Sequence, residues 1–367
     1  MMMPTGCLTV NLNAIAENWR LLNARLGTTA CGAVIKADAY GLGAIPVART
    51  LISAGCETLF VATMAEAIEV REQVCGEYQL VVLGGMAHNY YADCVHHNIV
   101  PVLTTNEQLS LWSKACESAG RQWPCVVKID TGMHRFGLSK DDIHRYLDDF
   151  RLLARCSPMM LMSHLACADT PEATLNKHQL VSFLSIFNKA RTLLPTLKAS
   201  LVNSSGIFLG SEYFFDMARP GIALYGGNPT PSQTNPMQSV VSLTLPINQI
   251  VSVNRGETVG YGGTFIADED KKIATVFGGY ADGIPRCLGN RGHGYYSGYR
   301  VPIVGRISMD ATAFDLSAIP DKALSEERGT IEILGEHQSV DEVAREADTI
   351  SYEILTRLGR RFQRVYQ

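Results

Sequence analysis

From about residue 30 to residue 226, short apolar or β-branched runs alternate with amphipathic stretches. That rhythm is the one of strands and helices wound around a parallel sheet. Eight runs stand out, at residues 32–35, 59–62, 80–83, 99–103, 125–129, 159–163, 201–202 and 222–225. Eight is the strand count of a (β/α)8 barrel. An open doubly wound sheet competes, but Gly41 and Gly43 lack the third glycine of a G-x-G-x-x-G fingerprint, and the pattern favours the barrel. Between the runs, helices are predicted over 14–26, with Asn13 as N-cap and Gly27 as stop, over 44–54, ending at Gly55, and over about 172–194.

Residues 228–236, NPTPSQTNP, hold three prolines in nine positions and end the alternation. Beyond them, residues 240–253, 272–277, 301–316 and 330–334 alternate as half-buried antiparallel strands do, with short helices only near 339–346 and 352–358. The fold class predicted is α/β: a barrel domain over 1–236 followed by a mostly β domain over 237–367.

Composition narrows the partners. At 46% hydrophobic, 367 residues are ample for a sizeable core. A formal charge of −4 with no block of five like charges offers nothing to nucleic acid or an anionic membrane, so small molecules are the expected partners. The ten cysteines are scattered without C-x-x-C or Cys/His ligand spacing, which predicts neither a disulfide framework nor a metal site. Residues 1–9 lack the regions of a secretory signal, and no run reaches the roughly 18 apolar residues of a membrane span. A soluble protein of a reducing cytoplasm is expected.

Chemistry in a barrel collects at the C-terminal ends of its strands. There the chain places Lys36 after the first run, Arg135 within KIDTGMHRFG after the fifth, His164 after the sixth, and Asn203 and Ser204 after the seventh. A lysine in a half-apolar pocket loses proton affinity and becomes a neutral amine able to attack an aldehyde, and a Schiff base is its natural use.

Taken together the segments resemble the alanine racemase family. They are AVIKADAYGLG at 33–43, VKIDTGMHRFG at 127–137, SHLACAD at 163–169, NSSG at 203–206 and ARPGIALYG at 218–226. In the second half they are VGYGGTF at 259–265, GGYADGIPR at 278–286, GRISMDATAFD at 305–315 and SYEIL at 351–355. Nine pieces in the family's order cover nearly all of both halves. The resemblance implies pyridoxal 5'-phosphate as cofactor, a homodimer and an amino-acid substrate. It also implies interconversion of L- and D-alanine, either to supply D-alanine for peptidoglycan or to serve alanine catabolism.

By the same resemblance Lys36 holds the cofactor as a Schiff base and then serves as one base, with Tyr261, donated by the other subunit, as the base on the opposite face. A phenol has an unperturbed pKa of about 10, so Tyr261 needs nearby cations, and Arg286 and His164 match that network. Arg219 matches the arginine facing the pyridine nitrogen; its pKa above about 12 keeps its proton and limits side reactions. Tyr40, Ser204, Gly221, Ile222 and Tyr352 match the phosphate site, with Asn203 beside them. Arg135 matches the group meeting the cofactor phenolate and the substrate carboxylate. Met309 and Asp310 match the second domain's contribution to that carboxylate. Lys128 stands where many members carry a carbamylated lysine.

Two positions depart from the family pattern: Leu42 and Ser200 each stand where histidine is found in other members. Rival functions are a serine racemase on the same fold, a basic amino-acid decarboxylase, and a non-catalytic carrier of the cofactor. The decarboxylase lacks its C-terminal cysteine here, since Cys287 follows GGYADGIPR and is the one cysteine of the second half. The carrier is a single-domain protein, against the long β half.

Overall fold

Residues 6–85, 90–148, 155–324 and 329–367 are described by a computed structural model of the chain; the leading Met1 to Met3 lie outside them. Seven strands, Ala33–Val34, Thr58–Val61, Gln79–Val82, Ile99–Leu103, Cys125–Lys128, Pro158–Met162 and Lys198–Ser200, run parallel in chain order. Their residues are almost all apolar, as strands buried on both faces must be. Ala30–Cys31 continues the first strand across Gly32 and pairs in parallel with Met217–Ala218. The latter reaches the seventh strand through Asp216 N–H to Ala199 O at 3.0 Å and Arg219 N–H to Val202 O at 3.0 Å, closing the ring.

Two of the expected runs sit elsewhere than predicted. The eighth strand is Met217–Ala218, and residues 222–225 form the 3-10 turn Ile222–Tyr225. A buried IALY segment reads as a strand by composition, but Gly226 at φ 84° ends it as a tight turn, with the backbone of Gln238 too close for a side chain there. The seventh strand, Lys198–Ser200, lies just before residues 201–202. The helices Leu12–Leu26, Ala44–Ser53 and Thr174–Leu193 fill the expected spans, but the first is capped by Asn11, whose Oδ1 accepts from Ala14 N at 2.9 Å, rather than by Asn13.

In the second half the long strand Val241–Val253 is the centre, pairing with Lys271–Phe277 and Thr330–Leu334. The span 301–316 is two strands, Tyr299–Pro302 and Ala311–Asp315, because Gly305 at φ 71° turns the chain between them. Cys7–Val10, unassigned by the local pattern, pairs antiparallel with Val241–Val253 and parallel with Gln363–Tyr366. The first described residues therefore belong to the sheet of the second half. Helices Val340–Glu346 and Ser351–Thr356 lie between that sheet's last two strands in sequence. One hydrophobic core spans both halves. All ten cysteines are free, and no helix among the described residues is long and apolar enough to cross a membrane.

Candidate active site

Lys36 follows the first barrel strand and opens an unusual segment. Ala37, Asp38, Ala39 and Tyr40 all have φ between 51° and 57°, one turn of left-handed helix. Each L-residue there costs about 1–2 kcal/mol, so the surroundings must hold it. Glu66 does so: its carboxylate accepts from Ala37 N at 2.7 Å, Ala62 N at 2.7 Å and Thr63 N at 3.1 Å, while Asp38 accepts from Ala44 N at 2.7 Å. The turn carries Tyr40 into the same cavity as Lys36, with its ring 4.7 Å from Tyr225 and 5.8 Å from Tyr352 between centroids.

That cavity, about 400 Å³, is where the strand-end residues meet. Lys36, Tyr40, Lys128, Arg135, His164, Asn203, Ser204, Arg219, Gly221, Ile222 and Tyr352 all line it. Four of these side chains are cationic and no carboxylate stands among the lining residues. The electrostatics follow. Burial, then the Arg135 guanidinium, hold Lys36 below the usual lysine range, with Glu66 pulling the other way. Burial and the cations Arg219, Arg135 and Lys36 push Lys128 down to about 8.

Arg135 is placed by a loop built on Asp130, whose Oδ1 accepts from Gly132, Met133 and His134 N–H at 2.8, 3.0 and 3.2 Å. Gly137, at φ 129°, returns the chain so close to Ile129 that no side chain fits. Arg219 is 5% exposed and burial lowers its guanidinium to about 9. It donates to Ser163 O at 2.6 Å, Leu201 O at 3.4 Å and the Ser200 hydroxyl, and meets His164 Nδ1 at 3.4 Å. Ser200 in turn donates to Met217 O at 2.6 Å. Burial and the four cations hold His164 well below the usual range, so it faces Arg219 as a neutral acceptor and is not one of the cations expected to serve Tyr261.

On the far wall Ser204 Oγ accepts from Gly221 N at 2.9 Å and Ala223 N at 3.3 Å. A Cβ on Gly221 would lie 2.2 Å from the Tyr40 hydroxyl. Backbone and hydroxyl donors are thus packed as closely as glycine allows.

Four expected residues lie outside this cavity lining. Tyr261 is 73% exposed on the 3-10 turn Tyr261–Gly263, and Met309 is 53% exposed. Arg286 is exposed at the start of Arg286–Leu288. Asp310 binds Arg361 at 2.7 Å, and Arg361 also forks onto the buried Asp282 at 2.6 and 2.7 Å. Tyr352 is the second half's one residue among those lining the cavity. The sequence reading missed Glu66 and the use of Ser200 as a partner of Arg219. A signal for Glu66 existed, since Thr63-x-x-Glu66 has capping-box spacing and the box forms.

Comparison with known proteins places the chain. Residues 10–229 match the alanine racemase N-terminal domain and residues 240–366 its C-terminal domain. The alanine racemase of Rhodospirillum rubrum is 46% identical over 363 residues, covering 99% of this chain and 96% of that one. The catabolic alanine racemase of Rhizobium johnstonii is 43% identical, with 99% and 95% covered. Among solved structures, alanine racemase from Bartonella henselae with covalently bound pyridoxal phosphate is 35% identical and superposes over 100% of both chains with a TM-score of 0.94. The chain belongs to the alanine racemase family.

Proposed function

We propose that this protein is an alanine racemase that binds pyridoxal 5'-phosphate on Lys36 and interconverts L- and D-alanine between Lys36 and Tyr261. The observation that carries the reading is the cavity itself: a lysine of lowered proton affinity and three further cations converge on a space with no carboxylate. A phosphate-bearing aldehyde fits that donor set. Ser204, Tyr40, Tyr352 and the N–H of Ile222 would hold its phosphate beside Asn203, with Gly221 donating its own N–H to Ser204 Oγ and so fixing that hydroxyl. The glycine cradle at 221 is where a side chain would close the space. When bound, the cofactor supplies a carbonyl for amine exchange and a ring that withdraws electrons from the bond to the α-hydrogen.

The chain's own groups do the rest. The Lys36 amine would be the nucleophile that holds the cofactor, and its Nζ would take or return the substrate's α-proton. Arg219, held by neutral partners, would face the ring nitrogen of the bound cofactor and, lowered only to about 9, would keep its protons there at neutral pH, which would limit side reactions. Arg135, which lines the cavity, would meet the cofactor's phenolate oxygen and the substrate carboxylate. Lys128 would take up carbon dioxide as a carbamate, its ammonium releasing two protons as the N–C bond forms, so that a repelling cation becomes an anion that orients Arg135.

The second proton carrier is the Tyr261 hydroxyl of a partner subunit. Tyr261, Met309 and Tyr280 are exposed on the second half, which supports a homodimer in which a second copy covers them. Met309 and Asp310 would then close the substrate carboxylate end, with Arg286 and His164 near the phenol.

Incubating enantiopure L-alanine with the protein and added pyridoxal phosphate in heavy water tests the reading. Approach to equal amounts of both enantiomers, with deuterium at the α-carbon, is the expected result. Unchanged L-alanine with cofactor bound would refute it, and racemisation of serine alone would move the reading to a serine racemase.

A further inference from the structure

The helix Thr174–Leu193 runs outside the barrel, yet its first turns bury two amides, Asn176 and Gln179. Gln179 has no exposed surface, and burying an amide costs about 1–3 kcal/mol unless its groups are paired. They are. Its Oε1 accepts from Ala166 N at 2.9 Å, and its Nε2 donates to His164 O at 2.9 Å and to Thr131 Oγ1 at 3.2 Å. One side chain therefore ties the loop after the sixth strand, which carries His164, to the loop after the fifth, which carries Arg135.

The connection continues inward with a defined direction. Ser163 spends its single hydroxyl proton on Ile129 O at 2.9 Å. The 2.8 Å contact between Thr131 Oγ1 and Ser163 Oγ must then be donated by Thr131, which in turn accepts from Gln179. The chain of donation is Gln179 to Thr131 to Ser163 to the Ile129 carbonyl, and no member can be reversed. Ser163 O receives the 2.6 Å bond from the Arg219 guanidinium. Ile129, bridged to Leu138 across the Arg135 loop, fixes that loop's neck. Gly132 takes φ 130°, a backbone conformation open to glycine, in the loop that Thr131 anchors to this network.

We propose that Gln179 and Thr131, neither of which lines the cavity, are positioning residues that set the Arg219 guanidinium and the His164 loop through Ser163. The inference rests on the racemase reading, because the reacting group they serve is the ring that Arg219 faces. Buried polar networks of this kind hold a unique arrangement only while every member is satisfied. Losing one donor lets a cavity group drift by a fraction of an ångström, which matters for a reaction that depends on alignment.

The test compares T131V, which keeps shape but removes the hydroxyl, with T131S, which keeps it, in the cofactor-loaded protein. T131V should lower kcat for alanine about tenfold with KM within about twofold, and T131S should restore kcat. Independently of turnover, T131V should displace the pH titration of the bound cofactor's absorption spectrum, which reports the environment of the ring. Should T131V not fold, Q179E serves instead. It keeps the acceptor for Ala166 and replaces the donor facing His164 O and Thr131, and the same losses are expected. Wild-type kcat and spectrum in T131V, or in Q179E, would overturn the proposal. So would a T131S variant as impaired as T131V. If the wild type itself leaves alanine untouched, the racemase reading falls, while the spectral titration still decides whether the network reaches the ring.

Discussion

At the barrel mouth, Lys36, Lys128, Arg135 and Arg219 look into one cavity, and the last of these is 5% exposed with carbonyl, hydroxyl and imidazole partners already in place. On the second half, Tyr261 is 73% exposed on a glycine-rich turn and Met309 is 53% exposed. The barrel's share of the site, with Tyr352 of the second half, is organised within one chain, whereas Tyr261 and Met309 lie outside that cavity's lining. On the proposed reading, binding and amine chemistry would belong to the folded chain, whereas two-sided proton transfer would belong to an assembly of two.

The largest effect is expected at Lys36. K36A should lose racemisation by about 10³-fold or more, because nucleophile and base are removed together, and it should fail to retain cofactor through dialysis. Near-normal turnover in that variant would remove the barrel's claim to the chemistry.

A smaller effect concerns the crowding of cations before any anion arrives. Lys128, lowered to about 8 from 10.5, must be held as a buried cation below pH 8. Between pH 8 and 10.5 the unfolded chain binds a proton that the folded one has lost, so this group makes stability rise with pH across that window. K128M removes the group. In the cofactor-free protein it should melt above wild type at pH 7, with the difference shrinking as pH rises towards 10.5. A constant gap in melting temperature would show that Lys128 is not strained by its neighbours.

The smallest effect is at the left-handed turn. Ala37 is exposed at φ 52°, so A37G should remove a backbone cost at little loss of packing. After the extra freedom of glycine in the unfolded chain is counted, a gain of about 0.5–1 kcal/mol remains. Denaturant unfolding measures it, and a loss of stability would mean that the Glu66 contact depends on the alanine.

The alternation of apolar runs and amphipathic stretches was enough to read a barrel followed by a β domain, because each parallel strand is a short run buried on both faces. It failed where pairing is remote. Cys7–Val10 finds its partners at 241–244 and 363–366, and no local pattern announces such a contact. It failed again at residues 222–225, where burial without periodicity looks the same in a strand and in a 3-10 turn. At the site, strand-end residues were legible because lysine, arginine and histidine stand out after apolar runs. Thr131 and Gln179 were not, since in a turn or on a helix they look like ordinary polar positions, and the capping-box spacing of Glu66 announces a helix start but not its reach to Ala37; their meaning lies in contacts across 32, 15 and 29 residues.

The most direct test of the division between chain and assembly is to mix two inactive variants, K36A and Y261F, by unfolding and refolding them together. In a mixed dimer one site keeps both Lys36 and Tyr261, and the other keeps neither. Random pairing of equal amounts should therefore restore roughly one quarter of wild-type racemisation from two nearly silent proteins. A refolded mixture that forms mixed dimers and stays silent would contradict the account, because Tyr261 would then not act across subunits on the proton opposite Lys36.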